Sequence, residues 1–212
     1  MTKSEQIYIK LKDEIQSGQL SPDKNLKEIE LAKRFNVSRN TIKNVLIMLE
    51  GDGLVLLKTN KGAYVRSFSL EEVLEYLEIR IHLEKFIIEH SIDNLSKDDF
   101  LKLENILDEM KVCLEENNLI DYSKCNSEFH KIIYDACDNK TAVNMTVDLK
   151  DRMKKYHSKT VLIPGRSKQS YKEHIELYNA LKNGDKKNAI NIIEKHLKNF
   201  ETMFKEYYDL LF

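Results

Sequence analysis

The chain has 212 residues, enough for one large domain or two small ones, and its 42% hydrophobic and 33% charged content is that of a well-patterned globular protein. No apolar run approaches the roughly 20 residues of a membrane span, and Met1-Thr2-Lys3-Ser4-Glu5 opens no secretory pattern; these features argue against a membrane or secreted protein, and the cytoplasm is the expected location. The net charge of −1 hides an asymmetry: residues 1–66 carry 12 Lys+Arg and 8 Asp+Glu, whereas the other 146 carry 22 and 27.

In chain order, Ser4–Ser17 is predicted as a helix with Ile7, Leu11 and Ile15 on one face and Ser4 as N-cap. Gly18 ends it, and Ser21-Pro22-Asp23 forms a turn. A short amphipathic helix follows with Ile29, Leu31, Ala32 and Phe35, then a tight turn at Asn36. The next helix starts at Ser38 and places Ile42, Val45, Leu46 and Leu49 on its apolar side. Two strands, Leu54–Lys58 and Ala63–Arg66, are joined across Thr59-Asn60-Lys61-Gly62. Residues 67–72 read as a hinge, with Ser69 as N-cap and Glu72 in the capping-box position.

From there the pattern is helical almost throughout. Helices are predicted over about 70–92, 97–117, 119–137, 141–160 and 168–182, and a sixth, capped by Asp185, runs close to the C-terminus. Ile163-Pro164-Gly165 and Asn183-Gly184 are the breaks. The expected fold class is therefore mainly α: a winged helix-turn-helix over residues 1–66, a hinge over 67–72, and an antiparallel helical bundle over 73–212. Cys113, Cys125 and Cys137 are an odd number with no CxxC pair, so reduced thiols are expected.

Two helices about a compact turn, followed by a β-ribbon, form a module that carries its second helix into the DNA major groove. The +4 balance of residues 1–66 places the phosphate-facing charge there, and its modest size favours two copies acting together. Ser38, Arg39, Asn40, Thr41 and Lys43 lie at the start and on the exposed side of the recognition helix. Arg39 has the planar fork for guanine O6 and N7, Asn40 suits adenine or a capping role, and Lys43 suits a phosphate. Lys61 and Gly62 form the wing tip. Taken singly, these charges would be ordinary solvated ones; the setting is what makes them DNA-binding candidates.

The order LA-x-x-F-x-VSR-x-T, then EGDGLV, then a wing glycine resembles the GntR family of bacterial transcription regulators. The C-terminal half resembles the all-helical FCD ligand domain of the FadR subfamily. The marks are Arg80 with Glu84, Glu128-Phe129-His130, Glu173-His174 and His196-Leu197. The resemblance spans essentially the whole chain. It implies that Arg39 reads guanine, with Lys43 standing where relatives carry a second arginine. Glu28 and Glu30 depart from the basic residues many relatives place on the positioning helix.

His130, His174 and His196 each fall on an apolar helix face, and three imidazoles suit zinc, nickel or another first-row divalent ion. The resemblance implies a fourth ligand one turn before the first histidine. That position holds Asn126, an uncharged donor where metal-binding relatives have aspartate. Three readings stay open here: a metal site of Asn126, His130, His174 and His196, a metal-free pocket whose histidines bond the ligand, and plain core histidines. Arg80 is a candidate clamp for an effector carboxylate, or else the buried partner of Glu84, and Tyr134 and Arg152 are further pocket candidates. His82, His90 and His157 read as surface or helix-end residues.

The expectation is a homodimeric transcription regulator, in all a repressor, that binds a palindromic double-stranded operator and releases it on binding a small carboxylate effector. The alternative from another class is a metal-dependent enzyme in a helical bundle with a DNA-binding appendage. That reading needs a general base beside the metal, and the chain has no HExxH or ExxH pair. A third reading is an architectural DNA binder whose bundle only dimerises.

Overall fold

The computed structural model describes residues 1–59, 61–160 and 163–211, and of residues 155–159 and 211 the backbone alone. Two compact units emerge: Met1–Ser69 together with Lys150–Lys155, and Leu70–Leu149 together with Tyr156–Phe212.

The first unit opens with α1, Lys3–Gln16. Its cap is Thr2 and not the expected Ser4: the Thr2 hydroxyl accepts from the Glu5 N–H, and the Glu5 carboxylate accepts from the Thr2 N–H at 2.8 Å. A cap needs its acidic partner three positions on, and Thr2 finds Glu5 where Ser4 would find Ile7. Next come β1 (Asn25–Leu26), α2 (Glu28–Phe35), α3 (Arg39–Gly51), β2 (Val55–Lys58) and β3 (Gly62–Val65). The β1 pairing was not anticipated, because two residues carry no readable period. It makes the ribbon a three-stranded antiparallel sheet in the order β1-β3-β2, with Leu26 opposite Ala63 and Leu57 opposite Ala63 from the other side.

The turn between α2 and α3 is made by Asn36, which takes the left-handed conformation at φ 50°, a region where Asn is among the few tolerant side chains. Ile7, Leu11 and Ile15 of α1 pack with Leu31, Ile42, Val45, Leu46 and Leu49 and with Val55 and Val65 of the ribbon. Ile29 departs from the expected apolar face. It is 53% exposed, because Leu31 and the half-buried Ala32 and Phe35 already fill the seam against α3.

The second unit holds six helices among the described residues: α4 (Leu70–Ser91), α5 (Lys97–Glu115), α6 (Leu119–Ala136), α7 (Lys140–Thr160), α8 (Arg166–Lys182) and α9 (Lys186–Leu211). Their positions follow the expected spans, and α8 begins two residues earlier than expected, at once after Gly165 with φ +81°. Ser96 caps α5 with Asp99 as its reciprocal partner, and the Asp185 carboxylate accepts from the Asn188 N–H at the head of α9. α5 packs on α6 and α8, while α4 and α8 both pack on α9. Leu103, Leu107, Met110, Phe129, Ile133, Leu177, Leu181, Ile193 and Leu197 fill the interior. Among the described residues, no helix is long and apolar enough to cross a membrane.

Candidate functional site

The DNA-reading candidates lie on α3 and at the tip of the β2–β3 ribbon. Ser38 caps α3, its hydroxyl accepting from the Thr41 N–H at 3.1 Å and lying 2.8 Å from the Thr41 hydroxyl. The cap holds the first turn and leaves Arg39, Asn40 and Lys43 exposed. Opposite faces of α3 thus divide the work, with Ile42, Val45 and Leu46 buried beneath the polar residues. Lys61 and Gly62 are exposed at the ribbon tip; Gly62 takes φ +88°, which a side chain would resist. The neighbouring Asn60 of the expected wing turn lies outside the described residues. One partner was not foreseen: Arg39 Nη2 lies 3.1 Å from the Glu28 carboxylate of α2.

In the second unit, the three histidines from α6, α8 and α9 come together. One ring nitrogen from each lies within 4.8 Å of the others, and all three residues are buried. His130 Nε2 and His174 Nε2 stand 3.3 Å apart. Two nitrogens bound to one tetrahedral zinc, with bonds of about 2.0–2.1 Å, would be separated by about 3.3–3.4 Å.

The outer nitrogens are held. His174 Nδ1 donates to the Ser170 carbonyl at 2.6 Å, and His196 Nδ1 lies 2.6 Å from Glu173 Oε2. His130 Nδ1 faces Glu84 Oε2 at 3.7 Å. A carbonyl can only accept, so Nδ1 of His174 carries the proton and its Nε2 lone pair is left for the centre. Outer acceptors of this kind orient metal-binding imidazoles. Burial pushes the His174 ring down to about 3, with the neighbouring His196 adding to the effect, and burial likewise lowers His196. At neutral pH both rings are therefore unprotonated, the form that ligates.

Two buried ion pairs surround the rings. Arg80 Nε donates to Glu84 at 2.8 Å, and Arg166 Nη1 donates to Glu173 at 3.1 Å. Burial opposes the Arg80 charge, but Glu84 and the Tyr134 hydroxyl outweigh it and raise its pKa. Burial also drives Tyr134 well above the usual tyrosine value. Glu173 accepts a further bond from the Asn199 amide at 2.7 Å. Burial would raise its carboxyl, but the His196 contact, Arg166 and Asn199 hold it below the usual range.

Of the sequence candidates, His130, His174, His196, Arg80 and Tyr134 are thus brought together, and Asn126 stands half-buried one turn before His130 on α6. Arg152 is not among them. It lies in the part of α7 that belongs to the first unit, its guanidinium against Gly53, so its place in the effector pocket is withdrawn. His82 is exposed, and His90 stacks on Phe86 and pairs with Asp138 at 3.0 Å. The His157 side chain lies outside the described residues. Arg166, Ser170, Asn199 and Tyr122 were not anticipated. The i, i+4 spacing of Ser170 and His174, and the two-turn spacing of Arg166 and Glu173, were the available signals.

Comparison with known proteins agrees with both units. Residues 3–65 match the model of bacterial regulatory proteins of the gntR family, and residues 75–199 match the FCD domain. The chain is 27% identical to the HTH-type transcriptional regulator YdhC of Bacillus subtilis (strain 168), over 90% of this chain and 86% of that one. It is 25% identical to the HTH-type transcriptional repressor RspR of Escherichia coli (strain K12), over 92% and 86%. The solved structure of E. coli McbR/YncC shares the fold with a TM-score of 0.80 at 20% identity, covering 98% of this chain and 99% of that one. The relatives are transcription regulators, and the enzyme alternative finds no support in them. The chain belongs to the GntR family of helix-turn-helix transcription regulators, with an FCD domain as its effector-binding half.

Proposed function

We propose that this regulator is a cytoplasmic, homodimeric repressor whose operator affinity is set by a small carboxylate effector bound with a divalent metal at His130, His174 and His196. The observation that carries the reading is the arrangement of the three rings: their outer nitrogens face a carbonyl or carboxylate, and one nitrogen of each lies within 4.8 Å of the other two. A divalent cation between the three nitrogens would take a lone pair from each ring at once. The i, i+4 spacing of Asn126 and His130 supports Asn126 as a fourth donor through its amide oxygen. A bound zinc or nickel ion would supply a fixed positive charge and coordination positions open to an anion.

On the DNA side, Arg39 reads a guanine, Asn40 and Thr41 adjoin it, and Lys43, Lys61 and the Ser38 end of α3 meet phosphates. Each winged helix of the dimer takes one half-site of a palindrome about one helical turn apart. Effector and operator then compete through one shared equilibrium, so each must weaken the other by the same factor. Repression is supported by the naming of RspR as a repressor.

The test is metal content by plasma mass spectrometry on untagged protein, with and without His174→Ala. Near-stoichiometric metal that the variant loses is the expected result. Protein that takes up no zinc or nickel under competition would leave the histidines as direct ligands of the effector, and the metal reading would be wrong.

A further inference from the structure

We propose that Cys113 and Cys125 are a redox modification site: a pair of thiols on neighbouring helices that a low-molecular-weight disulfide converts reversibly into an intramolecular disulfide. Neither thiol belongs to the histidine cluster, so the pair needs no metal.

Cys113 lies in the last turn of α5 and Cys125 in the second turn of α6, two helices packed on each other. The Cys113 carbonyl accepts from the Asn118 N–H at 2.8 Å, and Asn118 caps α6, so the end of one helix is fixed to the start of the next. Across the packed faces, the Cys125 thiol donates to Glu109 Oε2 at 3.8 Å. Glu109 and Cys113 are an i, i+4 pair and share one side of α5. The Cys113 side chain is itself a hydrogen-bonding neighbour of the Cys125 thiol. The two sulfurs thus meet between the helices, and closing the bond brings them to about 2.05 Å. Both residues are half-buried against the core and within reach of a small reagent, whereas Cys137 is fully buried.

Burial, with Cys113 and Glu109 adding to it, pushes the Cys125 thiol up to about 11. Cys125 is therefore protonated at neutral pH, and the first attack falls to Cys113. With oxidised glutathione as the oxidant, the Cys113 thiolate displaces one glutathione thiolate and leaves a mixed disulfide. The Cys125 sulfur then attacks the Cys113 sulfur and expels the second glutathione thiolate, which takes up the Cys125 proton. The protein loses two hydrogens and two electrons, and one glutathione disulfide becomes two thiols. A dithiol poor in thiolate lacks the stabilisation that makes some disulfides strong oxidants, so the bond is kept once made. Cys125 directly precedes Asn126, and the cross-link would tie to α5 the helix on which His130 stands.

The experiment treats full-length reduced protein with oxidised glutathione at neutral pH. Free thiols are then counted with maleimide in denaturant, and intact mass and peptide mapping identify the product. Two of the three thiols are expected to disappear, with loss of two hydrogens, no retained glutathione, a Cys113–Cys125 link, and full recovery in dithiothreitol. Cys125→Ser is expected to stop at a stable glutathione adduct on Cys113. Cys113→Ser is expected to react about tenfold more slowly than Cys125→Ser, because its remaining accessible thiol is the protonated one. Three thiols left unreacted, a bond that includes Cys137, a link between two chains, or glutathione retained on the unaltered protein would overturn the proposal. The unaltered protein settles the pairing by itself, so the outcome does not depend on either variant folding.

Discussion

Glu28 on α2 holds Arg39 on α3: the carboxylate oxygen Oε2 lies 3.1 Å from Nη2 of the guanidinium that heads the recognition helix. The fork proposed to read a base is thus already engaged, by a side chain that would itself repel phosphate. Arg39 is two-thirds exposed, so the pair contributes only about 0.2–1 kcal/mol and opens readily. Glu28→Gln is expected to raise operator affinity by up to about fivefold, an increase set by the energy of that pair. Fluorescence anisotropy on a selected operator, repeated at several salt concentrations, measures it. Unchanged affinity would mean that Arg39 does not leave Glu28 to read DNA.

Arg39 and Lys43 are expected to fail differently. Arg39→Ala should cost about 1–3 kcal/mol and relax specificity at one base pair. Lys43→Ala should weaken binding evenly across sequences and reduce the salt slope by about one phosphate's worth. Selection from randomised palindromes with each variant separates the two outcomes.

Zinc should stabilise the second unit by mass action, by about 2.7 kcal/mol at a free concentration one hundred times its dissociation constant. A thermal melt with and without zinc is expected to show this shift in the unaltered protein and to lose it in His196→Ala. An equal shift in both would place the binding elsewhere.

The metal-free protein should be acid-sensitive above the carboxylate range. His174 ionises near 6.5 when unfolded and at about 3 when folded, so below about 6.5 the unfolded chain binds the extra proton. The contribution of this neutral, buried ring is complete above that pH and is lost progressively as pH falls toward about 3, by up to about 1.4 kcal/mol per pH unit. Glu173, held below its ordinary value, adds to the loss at still lower pH. Urea melts between pH 7.5 and 4.5 should show a decline that His174→Gln flattens.

Glu84 is 1% exposed and bonded to Arg80, so Glu84→Ala would remove the carboxylate that pairs with a buried guanidinium. A loss of about 3–5 kcal/mol is expected in chemical denaturation, where removal of Asp135, the exposed partner of Lys131 at 2.8 Å, would cost under about 1 kcal/mol. Similar losses from the two substitutions would show that Arg80 keeps a partner of equal strength after Glu84 is removed.

The sequence by itself determined the helices and the exposed face of α3 that we propose reads DNA. Ile42, Val45, Leu46 and Leu49 repeat at the helical period, and Asn36 and Ser38 are the residue types that a left-handed turn and an N-cap require. These are local rules, written over a few adjacent residues. The same rules put His130, His174 and His196 on apolar faces. Only the tertiary structure decided that these faces meet at one point, and that Arg166 and not Arg152 joins them through Glu173. It alone paired Glu28 with Arg39, and added β1 to the ribbon from two residues. The physical reason is the same each time: periodicity says which side of a helix is buried, while the partner it meets is set by packing between segments tens of residues apart.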